Sequence, residues 1–238
     1  MLSATNTIAA ISTANGVGGI GIVRLSGPEA LAIAKKICSR QIVPREASFH
    51  NFYNAEREIV DQGLVLYFPN PKSFTGEDVV EFQGHGGQAV LNALLSLCIN
   101  NGARLAEPGE FTRRAYLNNK IDLAQAESVI DVINATTIEA VKSAAQSLSG
   151  KFSNKIKDLL KKLIELRVFV EACLDFPEEE IDFIEQGKVI ERLNNIAAEV
   201  DQILLVAKHG QLLKEGVNLV LIGQPNVGKS SLLNQLVG

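Results

Sequence analysis

Gly16-Val17-Gly18-Gly19-Ile20-Gly21 runs straight into Ile22-Val23-Arg24-Leu25-Ser26, and the residues after the glycines decide the fold. A dinucleotide fingerprint needs a helix N-terminus after its glycines, to meet the pyrophosphate. Here the chain stays apolar and extended instead. The glycines therefore read as a tight hairpin connection between two strands, Thr7 to Ser12 and Gly19 to Ser26. Pro28 then opens a helix over Glu29 to Cys38. Gly63 to Phe68 and Val79 to Gln83 read as further strands, and Gly86-Gly87 introduces a helix from Gln88 to Ile99. Asn100-Asn101-Gly102 stops that helix, and a short one comes next over Gly109 to Leu117. Residues 1–118 are thus expected to form an α+β domain whose sheet is mixed or antiparallel, not doubly wound.

After Lys120 the pattern turns helical. Asp122 to Asn134 reads as one helix. Ile138, Val141, Ala145, Leu148, Phe152, Ile156, Leu159, Leu163, Leu166, Val170 and Cys173 then step by threes and fours. That seam predicts a single long helix of roughly 55 Å at ~1.5 Å per residue, ended by Pro177. Val189, Leu193, Ile196, Val200, Ile203 and Ala207 form a second seam, stopped at Gly210 or Gly216. Two helices cannot hide both seams alone, so further helices or another subunit should cover them. Residues 119–216 are expected to be a helical domain.

Gly223-Gln224-Pro225-Asn226-Val227-Gly228-Lys229-Ser230 is a phosphate-binding loop, with Val217 to Ile222 as a buried strand before it and an amphipathic helix from Lys229 to Val237 after it. Its glycines let successive N–H groups face one anion, Lys229 reaches the outer phosphates, and Ser230 offers its hydroxyl to Mg²⁺. Asn226 either ties the loop's own backbone or ligates a monovalent cation against the phosphates. Residues 217–238 read as the first strand and loop of an α/β nucleotide-binding domain.

An apolar content of 46% and a charged content of 21% describe a folded globular chain of 238 residues. The net charge of −4 argues against a globally basic nucleic-acid binder, while leaving room for a local patch. No basic segment followed by an apolar one opens the chain, and no apolar run reaches the ~20 residues that span a bilayer. Cys38, Cys98 and Cys173 lack metal-ligand spacing and read as reduced thiols of a cytoplasmic protein.

Arg24 and Glu81 each interrupt an apolar strand, so each needs a partner. Either they pair with one another, or they set the specificity of a polar cleft. His85 either polarises a ligand or donates to a carbonyl within a turn. Arg113, Arg114 and Lys120 read as a solvated helix face, with contact to a polyanion as the alternative.

Several motifs in order resemble the MnmE (TrmE) family of tRNA-modifying GTPases from end to end. They are Gly18 to Arg24, Ser73-Phe74-Thr75-Gly76-Glu77-Asp78, Gly84-His85-Gly86-Gly87, Pro108-Gly109-Glu110-Phe111-Thr112, Leu117 to Glu127, Asp175-Phe176-Pro177 and the phosphate loop. The resemblance implies an N-terminal domain similar to the folate-binding domains of aminomethyltransferases. Such a domain dimerises and binds 5-formyl- or 5,10-methylene-tetrahydrofolate through the positions matching Arg24, Glu81 and Lys120. It implies GTP at Asn226, Val227, Gly228, Lys229, Ser230 and Ser231, with K⁺ held at Asn226 and Mg²⁺ at Ser230.

Family members act with the FAD-containing protein MnmG, as a heterotetramer, on tRNA. Together they place an aminomethyl or carboxymethylaminomethyl group on carbon five of the wobble uridine. The family's switch loops, DxxG and NKxD segments and C-terminal cysteine motif do not occur in these 238 residues. The expectation is therefore that this chain supplies folate binding and dimerisation, contains no catalytic residue of GTP hydrolysis and turns over no GTP by itself. A dimerisation scaffold without ligand chemistry is the alternative.

Overall fold

The computed structural model describes residues 6–38, 40–175, 188–215, 220, 222–223 and 228–237. The chain divides into two compact units, Met1–Val129 and Ile130–Gly238.

The first unit contains β1 (Ile8–Ile11), β2 (Gly18–Ser26), α1 (Ala30–Ile37), β3 (Ser48–Tyr53), β4 (Ile59–Phe68), β5 (Val79–Gly86), α2 (Gln88–Asn100), β6 (Arg104–Leu105) and α3 (Glu110–Leu117). The strands form one six-stranded sheet in the order β3-β4-β5-β2-β1-β6. Every pair is antiparallel except β1 with β6, so the sheet is mixed. The early glycines do make a hairpin: β1 lies antiparallel to β2, with Ile11 opposite Val23. Glycine is needed further along as well. A Cβ on Gly86 would lie 2.6 Å from the Gly18 carbonyl oxygen, where β2 and β5 approach.

Period-two alternation sends Val23, Leu25, Val65, Tyr67, Val80 and Phe82 to one face. There they meet Ile33, Ala34 and Ile37 of α1 and Leu91, Leu94 and Cys98 of α2. The α1 contacts recur at helical spacing, which is why an eight-residue helix can be held so firmly. Phe52 and Phe82 cross edge to face with ring centres 5.5 Å apart. Burial pushes the Cys38 and Cys98 thiols up to about 12, so both behave as inert core groups. The opposite face carries Arg24 and Ser26 of β2 with Glu81 and Gln83 of β5.

In the second unit, α4 (Leu123–Asn134) supplies its last turn, followed by α5 (Ile138–Leu148), α6 (Lys151–Asp175), α7 (Val189–Glu215) and α8 (Lys229–Val237). The single long helix expected from the first seam is broken. Gly150 adopts φ 85°, the Ser149 N–H returns to Ala145 O and the Gly150 N–H to Ser147 O. That is a glycine-terminated helix end, which hydrophobic period alone cannot reveal. α5 is also capped at its start, where the Thr137 side chain accepts the Ala140 N–H.

The seams still mark the inner sides of α6 and α7, for Leu166 and Ile196 are buried. Phe152, Leu163 and Leu193 remain exposed, so the seams are only partly covered. α7 runs through Gly210, which therefore does not stop it. The expected strand at Val217 to Ile222 falls mostly outside the described residues, as does Pro177. Among the described residues no helix is long and apolar enough to cross a membrane.

Candidate functional site on the open face of the sheet

Arg24 and Glu81 are register partners across β2 and β5. The Arg24 Nε and Nη2 both donate to Glu81 Oε1 at 2.8 Å. Of the two roles open to these residues, mutual pairing is the one the structure shows. The side chains are only 29% and 15% exposed, so each charge offsets the burial of the other. The Arg24 guanidinium also lies 5.7 Å from the centre of the Phe111 ring, a cation–π contact that brings α3 onto this face.

A buried ionic network fixes α3. Glu110 Oε1 and Oε2 receive Arg104 at 2.6 and 2.9 Å, and Oε1 also receives Arg114 Nη2 at 3.0 Å. Arg114 Nη1 spans both oxygens of Glu77, at 3.2 and 3.0 Å. Glu77 Oε2 in turn accepts the Ser26 hydroxyl at 2.7 Å, and Ser26 and Thr75 hydroxyls meet at 2.7 Å. Asn118 donates to the Thr75 carbonyl at 2.7 Å. Together these bonds pin α3 and the segment before β5 over the end of β2.

Arg114 is therefore not part of a solvated face, as its sequence setting suggests: it is 6% exposed and shared between two carboxylates. Arg113 does stay in solvent, paired with Glu107. The four-residue spacing of Glu110 and Arg114 is the one local sign of this clamp. The Glu77 and Ser26 contributions cross 37 and 51 residues of chain, and no local pattern announces them.

Hydrogen bonds from Arg104 hold the Glu110 carboxyl down at about 2, helped by the Glu107 N–H and Arg114, against the opposing effect of burial. A depressed folded value means stability that is present above the ordinary carboxyl range and is lost as pH falls toward 2. We expect the first unit to lose on the order of 3 kcal/mol from this group between pH 5 and pH 2. Urea unfolding of wild type and Glu110→Gln across that range checks it, since the variant should show a shallower acid dependence.

Lys120 sits beside the same segment. Its N–H returns to Ala115 O at 2.9 Å, its Nζ donates to Pro71 O at 3.0 Å, and its stem packs where a Gly76 side chain would go. The structure therefore joins Arg24 to Glu81 directly and anchors Lys120 on the neighbouring loop.

His85 lies in strand β5 and not in a turn, and its partner is a carboxylate and not a carbonyl. Its Nδ1 is 2.6 Å from Asp61 Oδ1, and its N–H donates to Asp61 Oδ2 at 2.8 Å. Burial pushes the Asp61 carboxyl up, but hydrogen bonds from the His85 ring, the His85 N–H and the Gln62 N–H outweigh it and leave Asp61 below its usual range.

At the expected phosphate loop, whose residues 224–227 lie outside the described residues, Gly228 takes φ 88°, Lys229 opens α8, and its Nζ donates to Gly223 O at 2.7 Å. Ser230 and Ser231 stand in the first turn of α8, while Asn226 and Val227 lie outside the described residues. A left-handed glycine leading into a helix, with a lysine and a hydroxyl at its start, fits a phosphate group and its Mg²⁺. Among the described residues no cluster of three or more His, Cys, Asp or Glu side chains could hold a metal ion.

Two family models match in succession: GTP-binding protein TrmE N-terminus over residues 7–120, and MnmE helical domain over residues 123–234. Curated relatives named tRNA modification GTPase MnmE include those of Nitrosomonas eutropha, 55% identical over 98% of this chain, and Nitrosomonas europaea, 54% identical over 100% of it. The relative from Saccharophagus degradans is 54% identical over 99% of the chain. The chain covers 52% of each of these relatives, about half their length. With its N-terminal and helical portions both matched, the chain belongs to the MnmE (TrmE) family.

Proposed function

We propose that the first unit is a folate site and that the protein to which this chain belongs is a tRNA-modifying GTPase. The observation that carries the folate reading is the Arg24–Glu81 pair, half-buried on an open sheet face and roofed by Phe111. An adjacent guanidinium and carboxylate offer donors and acceptors side by side, which complements the amide-like edge of a pterin. Phe111 adds an aromatic surface, and Lys120, on the neighbouring loop, adds a cation for the remainder of the ligand. When bound, 5-formyl- or 5,10-methylene-tetrahydrofolate supplies the one-carbon unit. The chain's own residues orient it and shield it from water.

In this reading the N-terminal unit forms a homodimer, and the FAD-containing MnmG completes the assembly on tRNA. The modified atom is carbon five of the wobble uridine. GTP binds with Mg²⁺ at Ser230 and K⁺ at Asn226, and the resulting nucleotide switch controls the assembly. Residues 1–118, 119–216 and 217–238 serve these three tasks as folate-binding, helical and nucleotide-binding parts. Calorimetric titration of the chain with 5-formyl-tetrahydrofolate tests the folate assignment. Saturable binding supports it, whereas a stable dimer with no heat of binding supports a scaffold without ligand chemistry.

A further inference from the structure

The open face of the sheet is closed on one side of the Arg24–Glu81 pair and free on the other. Toward the end of β2, Ser26 is fully buried and bonded to Thr75 and Glu77, and Arg114 holds Glu77 in place. A guest whose head rests on Arg24 and Glu81 finds no room there. In the other direction the next row of the sheet pairs Ile22 of β2 with Gln83 of β5, and both are half-buried. Leu64 of β4 is the register partner on the other side of Gln83, and Phe49 of β3 lies beyond Leu64. Leu64 and Phe49 are 39% and 55% exposed. From Phe49 to Ile22 the row is apolar except for one carboxamide.

That carboxamide is unpaired. Its N–H donors and its carbonyl oxygen have no hydrogen-bond partner among the described residues, whereas Arg24 and Glu81 in the adjoining row satisfy each other. Gln83 follows Glu81 by two residues on one face of β5, so their Cα atoms lie about 7 Å apart. The fused rings of a reduced pterin bridge a gap of that order. Their amino-amide edge is at one side, and the N5 nitrogen that carries the one-carbon unit is at the other.

We propose that Gln83 determines specificity for the one-carbon unit, donating from its amide N–H to the formyl oxygen at N5 of the reduced folate. The proposal rests on the folate reading of this face. Ile22 and Leu64 flank the amide with apolar surface, so a ring system lying over the row cuts its access to water. A guest with an oxygen at that point satisfies the amide. A guest with a methyl group there displaces its water and leaves it unpaired, and this asymmetry discriminates between the two.

The test compares 5-formyl- with 5-methyl-tetrahydrofolate by calorimetric titration of the full chain. The two compounds share rings, linker and tail and differ in the oxygen of the one-carbon unit. Wild type should prefer the formyl compound about tenfold. Gln83→Met, similar in length and placed between apolar neighbours, should lose that preference while its affinity for the methyl compound stays within about twofold of wild type. Gln83→Glu keeps the shape and removes both donors, so it should lose the preference too and serves if the methionine variant does not fold. A preference that survives in either folded variant, equal weakening of both compounds, or no preference in wild type overturns the Gln83 assignment and leaves the folate site standing. Binding of neither compound by wild type overturns both.

Discussion

Arg114→Ala should cost the first unit about 3–5 kcal/mol, the largest stability loss expected from any single change outside the apolar core. The guanidinium is the shared partner of Glu77 and Glu110, which are 12% and 2% exposed. Removing it leaves Glu77 with only the Ser26 hydroxyl and Glu110 with Arg104 and a backbone N–H. Two carboxylates then share a site that excludes water, and the stem that packed between them is gone. Urea unfolding measures the loss. Arg114→Met in a Glu77→Gln background should recover much of it, because the stem returns and one buried charge disappears. A loss below about 1 kcal/mol in Arg114→Ala would mean that the network is solvated and does not hold α3.

Arg24→Ala should weaken 5-formyl-tetrahydrofolate binding by about 10- to 100-fold, the range of one or two charge-assisted hydrogen bonds. The effect exceeds the loss of a ligand contact, since Glu81 would be left without its cross-strand partner and Phe111 without the cation beneath it. Glu81→Gln should weaken binding by a similar factor, and the double variant should lose less than the sum of the two because they act as one unit. Competition with 5-formyl-tetrahydrofolate, measured by calorimetry on folded variants, reads these changes. Equal affinity in wild type and Arg24→Ala would remove the pair from the site.

The parts of the fold legible in sequence are those whose signal is local. The hairpin at Gly16 to Gly21, α1 after Pro28 and α2 after Gly86-Gly87 all lie where turn chemistry and apolar spacing put them. β3 has no such signal, because Ser48-Phe49-His50-Asn51-Phe52-Tyr53 turns a histidine inward and a phenylalanine outward. β4 begins four residues before Gly63, in a stretch whose Asp61 reads as surface until His85 is seen to satisfy it. β6 is two residues long and is defined only by its parallel pairing with β1.

The site divides the same way. Charges in apolar strands single out Arg24 and Glu81, and the structure supplies the reason both are tolerated. The clamp around Arg114 is invisible in sequence because its members come from Ser26, Glu77 and Glu110, and only folding brings them together. The break at Gly150 is hidden for the opposite reason. An apolar period of 3.5 persists across both α5 and α6, so the period cannot report where the backbone turns.

Everything proposed for the first unit depends on a reduced folate resting on the sheet face that bears Arg24 and Glu81. A crystal structure of this chain soaked with 5-formyl-tetrahydrofolate tests that most directly. The pterin is expected against the Arg24 guanidinium and the Glu81 carboxylate, with Phe111 on one side. Ligand bound on the helical unit, or on the α1–α2 side of the sheet, would contradict it.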